Sequence, residues 1–156
     1  MAEFEAYIEA AAMESAQRHV RKLAADGREG MGLLLGRRCK WEGQEYAYAD
    51  RFATVENDSS AVRVSFSADA FPELAALLRR KLKGRVVLAW LHSHPGYGCF
   101  LSGTDIATQE NFFGEPFHFA VVCDPTREDG ASMLSRAFRV EFGESYEIPF
   151  AVVERK

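Results

Sequence analysis

Residues 86–105 read VVLAWLHSHPGYGCFLSGTD, and this stretch is the most informative about the fold. It opens with the continuous apolar run Val86 to Leu91, which is typical of a central strand covered on both faces. Two histidines, a glycine-rich loop and an aspartate follow this run. The stretch therefore predicts a buried strand that leads through a tight loop into a helix over about 103–113, with polar side chains gathered where the strand ends.

Apolar periodicity on either side of this stretch predicts the other elements. Helical spacing recurs over 4–25 and 68–83. Strands are predicted over Met31 to Leu35, 46–55, 62–66, Phe117 to Cys123, 133–141 and 146–153. Gly-containing segments from Arg37 to Gly43 and from Arg127 to Gly130 predict turns. Interleaved strands and helices indicate an α/β fold with a mixed central β-sheet flanked by helices.

Composition and charge narrow the class of protein. The chain has 156 residues, of which 47% are hydrophobic and 27% charged, so we expect one folded domain over 1–156 with a sizeable core. The net charge of -4 argues against a phosphate-binding surface, and no nucleic-acid partner is expected. The basic run over 79–83 suits a solvated helix end, or it could meet an acidic partner.

Cysteine usage indicates the compartment. The sequence has three cysteines, Cys39, Cys99 and Cys123, and no CxxC pair, which argues against a disulfide scaffold or a structural zinc knuckle. We expect reduced thiols and a cytoplasmic protein. The first 20 residues carry early acidic side chains and no long apolar run, so neither a signal peptide nor a membrane span is predicted there, and no membrane partner is expected.

The residues after the central strand have the spacing of a metal site. His92 and His94 stand at i and i+2, so both imidazoles point to one side of the strand. Asp105 falls in the first turn of the next helix, from which its carboxylate can return to the same point. Two histidines and one carboxylate fill three of four tetrahedral zinc positions, and an open fourth position is typical of a catalytic site.

Each part of this pattern also has a plain structural interpretation. The two histidines could form a hydrogen-bonded surface pair. Ser102 and Asp105 have the spacing of a helix capping box, and capping can coexist with a role in chemistry. The combined spacing of His-x-His-Pro and Ser-x-x-Asp favours the metal site.

The stretch HSHPGYGCFLSGTDIATQ, residues 92–109, resembles the signature of the JAMM, or MPN+, metalloprotease family. It is most similar to the branch that holds the proteasome-lid deubiquitinase and the signalosome isopeptidase. Glu29 to Gly36 resembles the first strand of that family, and Glu115 to Phe117 followed by Ala120 to Arg127 resembles the strand and turn after the metal helix. The resemblance runs from about residue 29 to 127. Because the long C-terminal extension of the eukaryotic subunits is not seen, we expect a stand-alone, prokaryotic member.

The resemblance implies a single-domain MPN (JAB1/MPN, cytidine-deaminase-like) fold and one catalytic Zn²⁺ with a bound water. His92, His94 and Asp105 would be its ligands. Glu29 would be the general base that takes a proton from this water, although by position alone it is a solvated loop glutamate. Ser102 would donate a hydrogen bond to the oxyanion, whereas its plain role is the helix cap.

The implied activity is zinc-dependent hydrolysis after the C-terminal Gly-Gly of ubiquitin or a ubiquitin-like modifier, by an isopeptidase. Cognate activating and conjugating enzymes would be further partners. The resemblance places the modifier tail along Val55 to Phe66, with contacts over Asn57 to Val64. Two alternatives stay open: processing of a ubiquitin-like sulfur-carrier protein, or a non-catalytic module that binds the modifier.

Four other residue types have plain interpretations at this point. Cys99 is interpreted as a small loop residue, with a fourth metal ligand or a redox-sensitive thiol as alternatives. We expect His118 to be packed within a strand and His19 to lie on a helix surface. Trp90 and the phenylalanines are predicted to belong to the core.

Overall fold

The computed structural model describes residues 5–54, 76, 79–80 and 82–155. Its strands and helices within these residues are, in chain order, β1 (Ala6–Glu9), α1 (Ala10–Ala24), β2 (Met31–Trp41), β3 (Gln44–Ala53), β4 (Val86–Ser93), α2 (Gly103–Phe112), β5 (Phe119–Asp129), β6 (Ser132–Glu141), β7 (Glu144–Ile148) and β8 (Phe150–Val153).

All the strands belong to one eight-stranded sheet of order β7-β6-β5-β4-β2-β3-β1-β8. The strand β4 is central, as the apolar run predicts, and its residues from Leu88 onward are buried. It pairs antiparallel with β2 and parallel with β5. Parallel pairs also join β1 to β3 and to β8, so the sheet is mixed, as expected.

The two edges of the sheet meet at Pro149. The edge strands β7 and β8 are consecutive in the chain, and Pro149 alone separates them. Eight strands in a flat sheet would place its edges about 34 Å apart, whereas three consecutive residues span only about 7 Å. The sheet must therefore curve strongly until its edges approach each other, and an ion pair between Glu5 and Arg139 also joins residues near the two edges.

The sheet has a core on each face. The helix α1 packs on one face, where Met13, Ala16 and Val20 contact apolar side chains from both halves of the sheet. The opposite face buries Trp90 together with Leu101 and Phe113, which flank α2. The alternation of side chains along the strands divides them between these two cores. The face that carries Trp90 is also the face to which His92 belongs.

The structure corrects several boundaries. The helix predicted over 4–25 begins only at Ala10, because residues 6–9 form β1, which pairs with strands on both sides. The segment Arg37 to Gly43 is not a turn as a whole, since β2 continues to Trp41 and only Glu42 and Gly43 turn, both with positive φ. Two neighbouring positive φ values match the twist of a two-residue hairpin.

Other expectations are partly confirmed. The turn predicted from Arg127 begins only after Asp129, where β5 ends. The strand predicted over 146–153 is two strands that lie at opposite edges. The predicted strand over 62–66 lies outside the described residues, as does most of the helix predicted over 68–83, of which Ala76, Arg79 and Arg80 are helical. No helix within the described ranges is long and apolar enough to cross a membrane.

The aromatic residues divide between core and surface. Trp90 is fully buried, as predicted. The prediction that the phenylalanines belong to the core is wrong for Phe100, Phe112 and Phe142, which are exposed, the last to 98%. Phe142 turns the β6–β7 hairpin with a positive φ of 53°, so its side chain projects into solvent.

Candidate metal centre

The candidate metal ligands lie where β4 runs out. His92 is the penultimate residue of the strand and fully buried, and His94 follows one residue beyond the strand end. The backbone N–H of His94 donates to the carbonyl of Cys123 at 2.8 Å, which continues the pairing with β5. Because this pairing keeps the chain extended, the two imidazoles point to the same side, as the spacing predicts.

Asp105 completes the group from α2. Its Oδ2 lies 3.2 Å from Nε2 of His92 and 3.2 Å from Nε2 of His94. The two Nε2 atoms are 3.1 Å apart. Each of the three residues is buried, and together they could hold a metal ion. The structure thus brings together all three residues that the sequence predicts as ligands.

The three atoms fit a zinc ion. Ligand atoms at about 2.0–2.1 Å from zinc with tetrahedral angles stand about 3.3 Å apart, close to the three separations here. Neutral imidazole nitrogen and carboxylate oxygen are both common zinc ligands. Three such atoms occupy one side of an ion and leave a position for water or substrate, so the donor set suits a catalytic metal.

Ser102 caps α2 and fixes Asp105. The Oγ of Ser102 accepts the backbone N–H of Asp105 at 3.1 Å, and Oδ2 of Asp105 accepts the backbone N–H of Ser102 at 2.9 Å. This reciprocal pair is a capping box, as the Ser-x-x-Asp spacing predicts. It holds the carboxylate toward the histidines. The hydroxyl hydrogen of Ser102 is not used in the cap, so a second role as a donor stays compatible with it.

The charges of the three ligands are interdependent. Burial disfavours the ionised form of Asp105, but hydrogen bonds from the two imidazoles outweigh it and hold its pKa below the usual range. Burial lowers the pKa of His92 more than its bond to Asp105 raises it. For the less buried His94, burial is outweighed by Asp105 and by the charge of Glu29, which raise its pKa. An ionised carboxylate and a neutral His92 are the protonation states that a metal requires.

Aromatic stacking holds the ring of His92. The indole of Trp90 lies parallel to this imidazole, with ring centroids 4.4 Å apart and an interplanar angle of 7°. Nε1 of Trp90 donates to Oε1 of Gln109 in α2 at 2.5 Å. Phe113 also stacks on the indole, with ring centroids 5.8 Å apart. Trp90 is therefore more than core filling, because it links the ring orientation of a ligand to α2, a role that sequence analysis missed.

Glu29 lies beside the cluster, in the loop that leads into β2 and one residue removed from the strand. It is only 3% exposed, and among the described residues its Oε2 has no hydrogen-bond partner. Burial raises the pKa of Glu29 to about 7, with the charge of His94 lowering it and that of Asp105 raising it further. The interpretation as a solvated loop glutamate is wrong. A buried carboxyl group with one unpaired oxygen and a pKa near neutrality has the properties expected of a general base.

Ser93 connects Glu29 to the ligands. Its Oγ accepts the backbone N–H of Gly30 at 2.8 Å, and its own N–H donates to the carbonyl of Gly30 at 3.0 Å. Ser93 lies between the two histidines and is fully buried. This double contact fixes the residue next to Glu29 against the residue next to both ligands. Sequence analysis missed Ser93, although a serine between two ligands was a visible signal.

Cys99 does not face the ligands. Its thiol lies 3.6 Å from the carbonyl of Leu134 in β6, and its side chain packs in the core on the Trp90 face. Burial raises its pKa to about 11, so a reactive thiolate is disfavoured. The interpretation as a plain loop residue is supported over a fourth ligand or a redox thiol. All three cysteines are free.

The other two histidines lie away from the ligands. His118 precedes β5 rather than alternating within a strand, and its Nε2 lies 3.1 Å from the carbonyl of Val87. It is packed, as expected. His19 is half-buried against the ring of Phe52 and near Thr54, so the expectation of a helix-surface residue is wrong.

Comparisons with known proteins agree with this geometry. The profile described as "JAB1/Mov34/MPN/PAD-1 ubiquitin protease" matches residues 4–114. COP9 signalosome complex subunit 5 of Oryza sativa subsp. japonica is 43% identical over 117 residues, and that of Drosophila melanogaster is 39% identical over 111. These alignments cover 71% and 68% of this chain but 31% and 32% of the relatives. The chain thus spans about a third of their length.

A solved structure extends the likeness of fold over nearly the whole chain. A protein of Desulfitobacterium hafniense, known from a solution structure, superposes with a TM-score of 0.71. The superposition covers 96% of this chain and 94% of that protein at 22% identity, and at this identity it speaks for the fold alone. With the profile match over most of its length, the chain has the MPN fold and belongs to the JAB1/Mov34/MPN/PAD-1 ubiquitin protease family.

Proposed function

We propose that this protein is a zinc-dependent isopeptidase that hydrolyses the bond after the C-terminal Gly-Gly of a ubiquitin-like modifier. The observation that carries the proposal is the buried triangle of His92, His94 and Asp105 with the carboxyl group of Glu29 beside it. Family membership and similarity to signalosome subunit 5 support it. Strands of one sheet run from Ala6 to Val153, which supports the proposal that residues 1–156 are a single catalytic domain.

The proposed chemistry divides between the metal and three side chains. His92, His94 and Asp105 would hold the zinc ion, which when bound would supply Lewis acidity toward the scissile carbonyl and toward water. Glu29 accepts the proton of the attacking water and later gives it to the leaving amine. Its pKa of about 7 suits both transfers, because such a group exchanges protons readily near neutral pH.

Ser102 is proposed to stabilise negative charge on the substrate oxygen. Its Oγ already accepts the N–H of Asp105, so the hydroxyl is held at the start of α2 while its hydrogen stays available for donation. The N-terminal end of a helix also carries positive partial charge. A donor at this position would strengthen its hydrogen bond as the carbonyl oxygen becomes an oxyanion.

The family description names a ubiquitin protease, and the substrate element proposed for this chain is the C-terminal Gly-Gly tail of such a modifier. Glycine lacks a side chain, so two glycines let an extended backbone pass close to buried catalytic groups. Such a tail is commonly held by strand addition along a sheet edge. The segment proposed to border it, Asn57 to Val64, lies outside the described residues.

The test uses a ubiquitin-like protein that carries a short peptide extension after Gly-Gly. The zinc-loaded protein is incubated with it, and intact mass spectrometry reports the products. We expect one cut directly after the second glycine. Glu29→Gln and a zinc chelator should both abolish this cut, and Glu144→Gln, which changes an exposed glutamate on β7, should not.

Outcomes separate this proposal from its alternatives. Failure to cleave any of a panel of ubiquitin and ubiquitin-like substrates, with one zinc bound per chain, would contradict the peptidase proposal. Stoichiometric binding of a modifier without cleavage would then support the non-catalytic binding module. Cleavage confined to sulfur-carrier precursors would identify carrier processing rather than deconjugation.

A further inference from the structure

Asp124 in β5 has a buried carboxylate that contacts the metal loop, the name used here for residues 95–102 between His94 and α2. Asp124 directly follows Cys123, whose carbonyl accepts the N–H of His94. It is fully buried, and five donors surround its two oxygens. They are the backbone N–H groups of Gly96 at 3.0 Å, Gly98 at 2.8 Å and Thr126 at 2.9 Å, the hydroxyl of Thr126 at 2.7 Å, and Nε of Arg127 at 3.3 Å.

This carboxylate is ionised despite its burial. Burial raises the pKa of Asp124, but the bonds from Thr126, Gly96 and Gly98 outweigh that effect and lower it overall. A buried charge is tolerated only where its hydrogen-bonding capacity is nearly filled. Two of the donors belong to the loop that joins His94 to α2, so the negative charge and the conformation of this loop depend on each other.

The loop needs such an anchor because its backbone is unusual. Gly96 and Gly98 have φ values of 83° and 80°, in the region that other residues avoid. Two glycines also allow the unfolded loop many conformations, which raises the entropy lost when one is selected. The charge-assisted bonds to Asp124 offset that loss and select a single arrangement of the loop.

The selected arrangement places one carbonyl against a metal ligand. The carbonyl oxygen of Gly98 lies 3.3 Å from Nδ1 of His94. A carbonyl can only accept, so this contact requires hydrogen on Nδ1; when His94 gives up its second proton to bind a metal, that proton must therefore leave Nε2 and free its lone pair. Nε2 is the atom that faces His92 and Asp105. Outer contacts of this kind set the tautomer and ring orientation of metal-binding histidines.

We propose that Asp124 is a positioning residue of the metal centre: its carboxylate holds Gly96 and Gly98 so that the Gly98 carbonyl directs Nε2 of His94 toward the ion. The donors around Asp124 belong to Gly96, Gly98, Thr126 and Arg127, and none of them is a candidate ligand. Asp124 acts through the loop. For its catalytic consequence the inference rests on the proposed function, whereas its effect on metal binding does not.

The variant that tests the inference is Asp124→Asn, with Asp129→Asn as the matched control. Asparagine is nearly isosteric but neutral, so it removes the charge that pairs with Arg127, and its amide nitrogen cannot accept hydrogen bonds as the second carboxylate oxygen does. Asp129 lies on the same strand, is exposed and pairs with Arg136. We expect Asp124→Asn to weaken zinc affinity by about 10- to 100-fold, the usual effect of losing an outer contact. A competing chromophoric chelator measures this affinity without substrate.

A second measurement separates positioning from general stability. Hydrogen exchange at the amides of Gly96 and Gly98 should accelerate in Asp124→Asn and stay unchanged in Asp129→Asn. Zinc affinity is compared well below the melting temperatures of both variants, where both are folded. Under these conditions, a substitution that only destabilises the fold lowers the melting temperature but leaves the zinc affinity unchanged. If Asp124→Asn does not fold, Gly98→Ala tests the same carbonyl, because an added Cβ strains the positive φ of 80° at that residue.

The outcomes are distinct from those of the proposed function. Weaker zinc binding with faster exchange in the loop supports the inference. Zinc affinity in folded Asp124→Asn equal to that of Asp129→Asn overturns it, and the peptidase proposal would still stand. Conversely, a wild-type protein that binds zinc but cleaves no substrate would refute the proposed function while leaving the role of Asp124 measurable by affinity.

Discussion

Replacing Ser93 with alanine removes one buried oxygen between the two histidine ligands. That oxygen accepts the N–H of Gly30 at 2.8 Å, and both residues are buried. Alanine fills almost the same space, so the main loss is the acceptor of the Gly30 N–H. An unpaired buried donor costs about 1–3 kcal/mol. In a domain of this size, each kcal/mol lowers the melting temperature by about 2–4 °C.

The same change should affect catalysis more than metal binding. Gly30 is the neighbour of Glu29, so a looser Gly30 allows the proposed base to move. General bases contribute about 10²- to 10⁴-fold, and a displacement of about 1 Å can remove about 100-fold. We expect kcat for cleavage after Gly-Gly to fall by about 10- to 100-fold in Ser93→Ala. Zinc content should stay at one ion per chain, because no ligand atom is removed.

Ser135→Ala is the matched control for this experiment. Ser135 is also buried, but its hydroxyl contacts Cys123 Sγ at 3.3 Å and the carbonyl of Met133 at 3.4 Å, away from Gly30. Calorimetry gives the melting temperatures, elemental analysis gives zinc content, and initial rates give kcat. If kcat in Ser93→Ala falls no further than in Ser135→Ala, the link from Ser93 to Glu29 is refuted.

Three further substitutions test the site. In metal-free protein, the melting temperature of Glu29→Gln relative to wild type should rise as pH increases from 4.5 to about 7. The reason is that folding raises the pKa of the Glu29 carboxyl group, so the wild type loses stability as pH rises through that interval. A difference in melting temperature between the two proteins that does not change with pH would contradict this. Elemental analysis of Asp105→Asn should show loss of zinc. The helix α2 should be kept, because the asparagine oxygen still accepts the N–H of Ser102. Full zinc content in this variant would exclude Asp105 as a ligand. Cys99→Ser should retain zinc content and kcat, since its thiol faces Leu134, and loss of zinc would revive the fourth-ligand alternative.

Boundaries were the least predictable part of the fold. Residues 6–9 have helical spacing with the segment that follows them, but pairing with β3 and β8 makes them a strand. Both partners are distant in sequence, so no local pattern could reveal this. The segment from Arg37 contains a glycine that suggests a turn, yet pairing with β3 extends β2 through Trp41. In each case tertiary pairing outweighs local preference.

The metal triangle was predictable because its spacing is local. Two histidines at i and i+2 of an extended strand must share a side, and Asp105 at the third position of a capped helix must point back toward the N-terminal end of that helix. The central position of β4 followed from its continuous apolar run. Local spacing was therefore enough to predict the three candidate ligands, the capping box and the strand from which the histidines project.

Contacts at this site between segments far apart in the chain could be seen only in the folded structure. Burial of Glu29 depends on contact between Gly30 and Ser93, which are 63 residues apart. The direction of Cys99 depends on packing against β6, and the anchoring of the metal loop depends on a carboxylate in β5. The closure of the sheet at Pro149 follows from its strand order. These contacts depend on which strands become neighbours, and that is a property of the whole folded chain rather than of any local spacing.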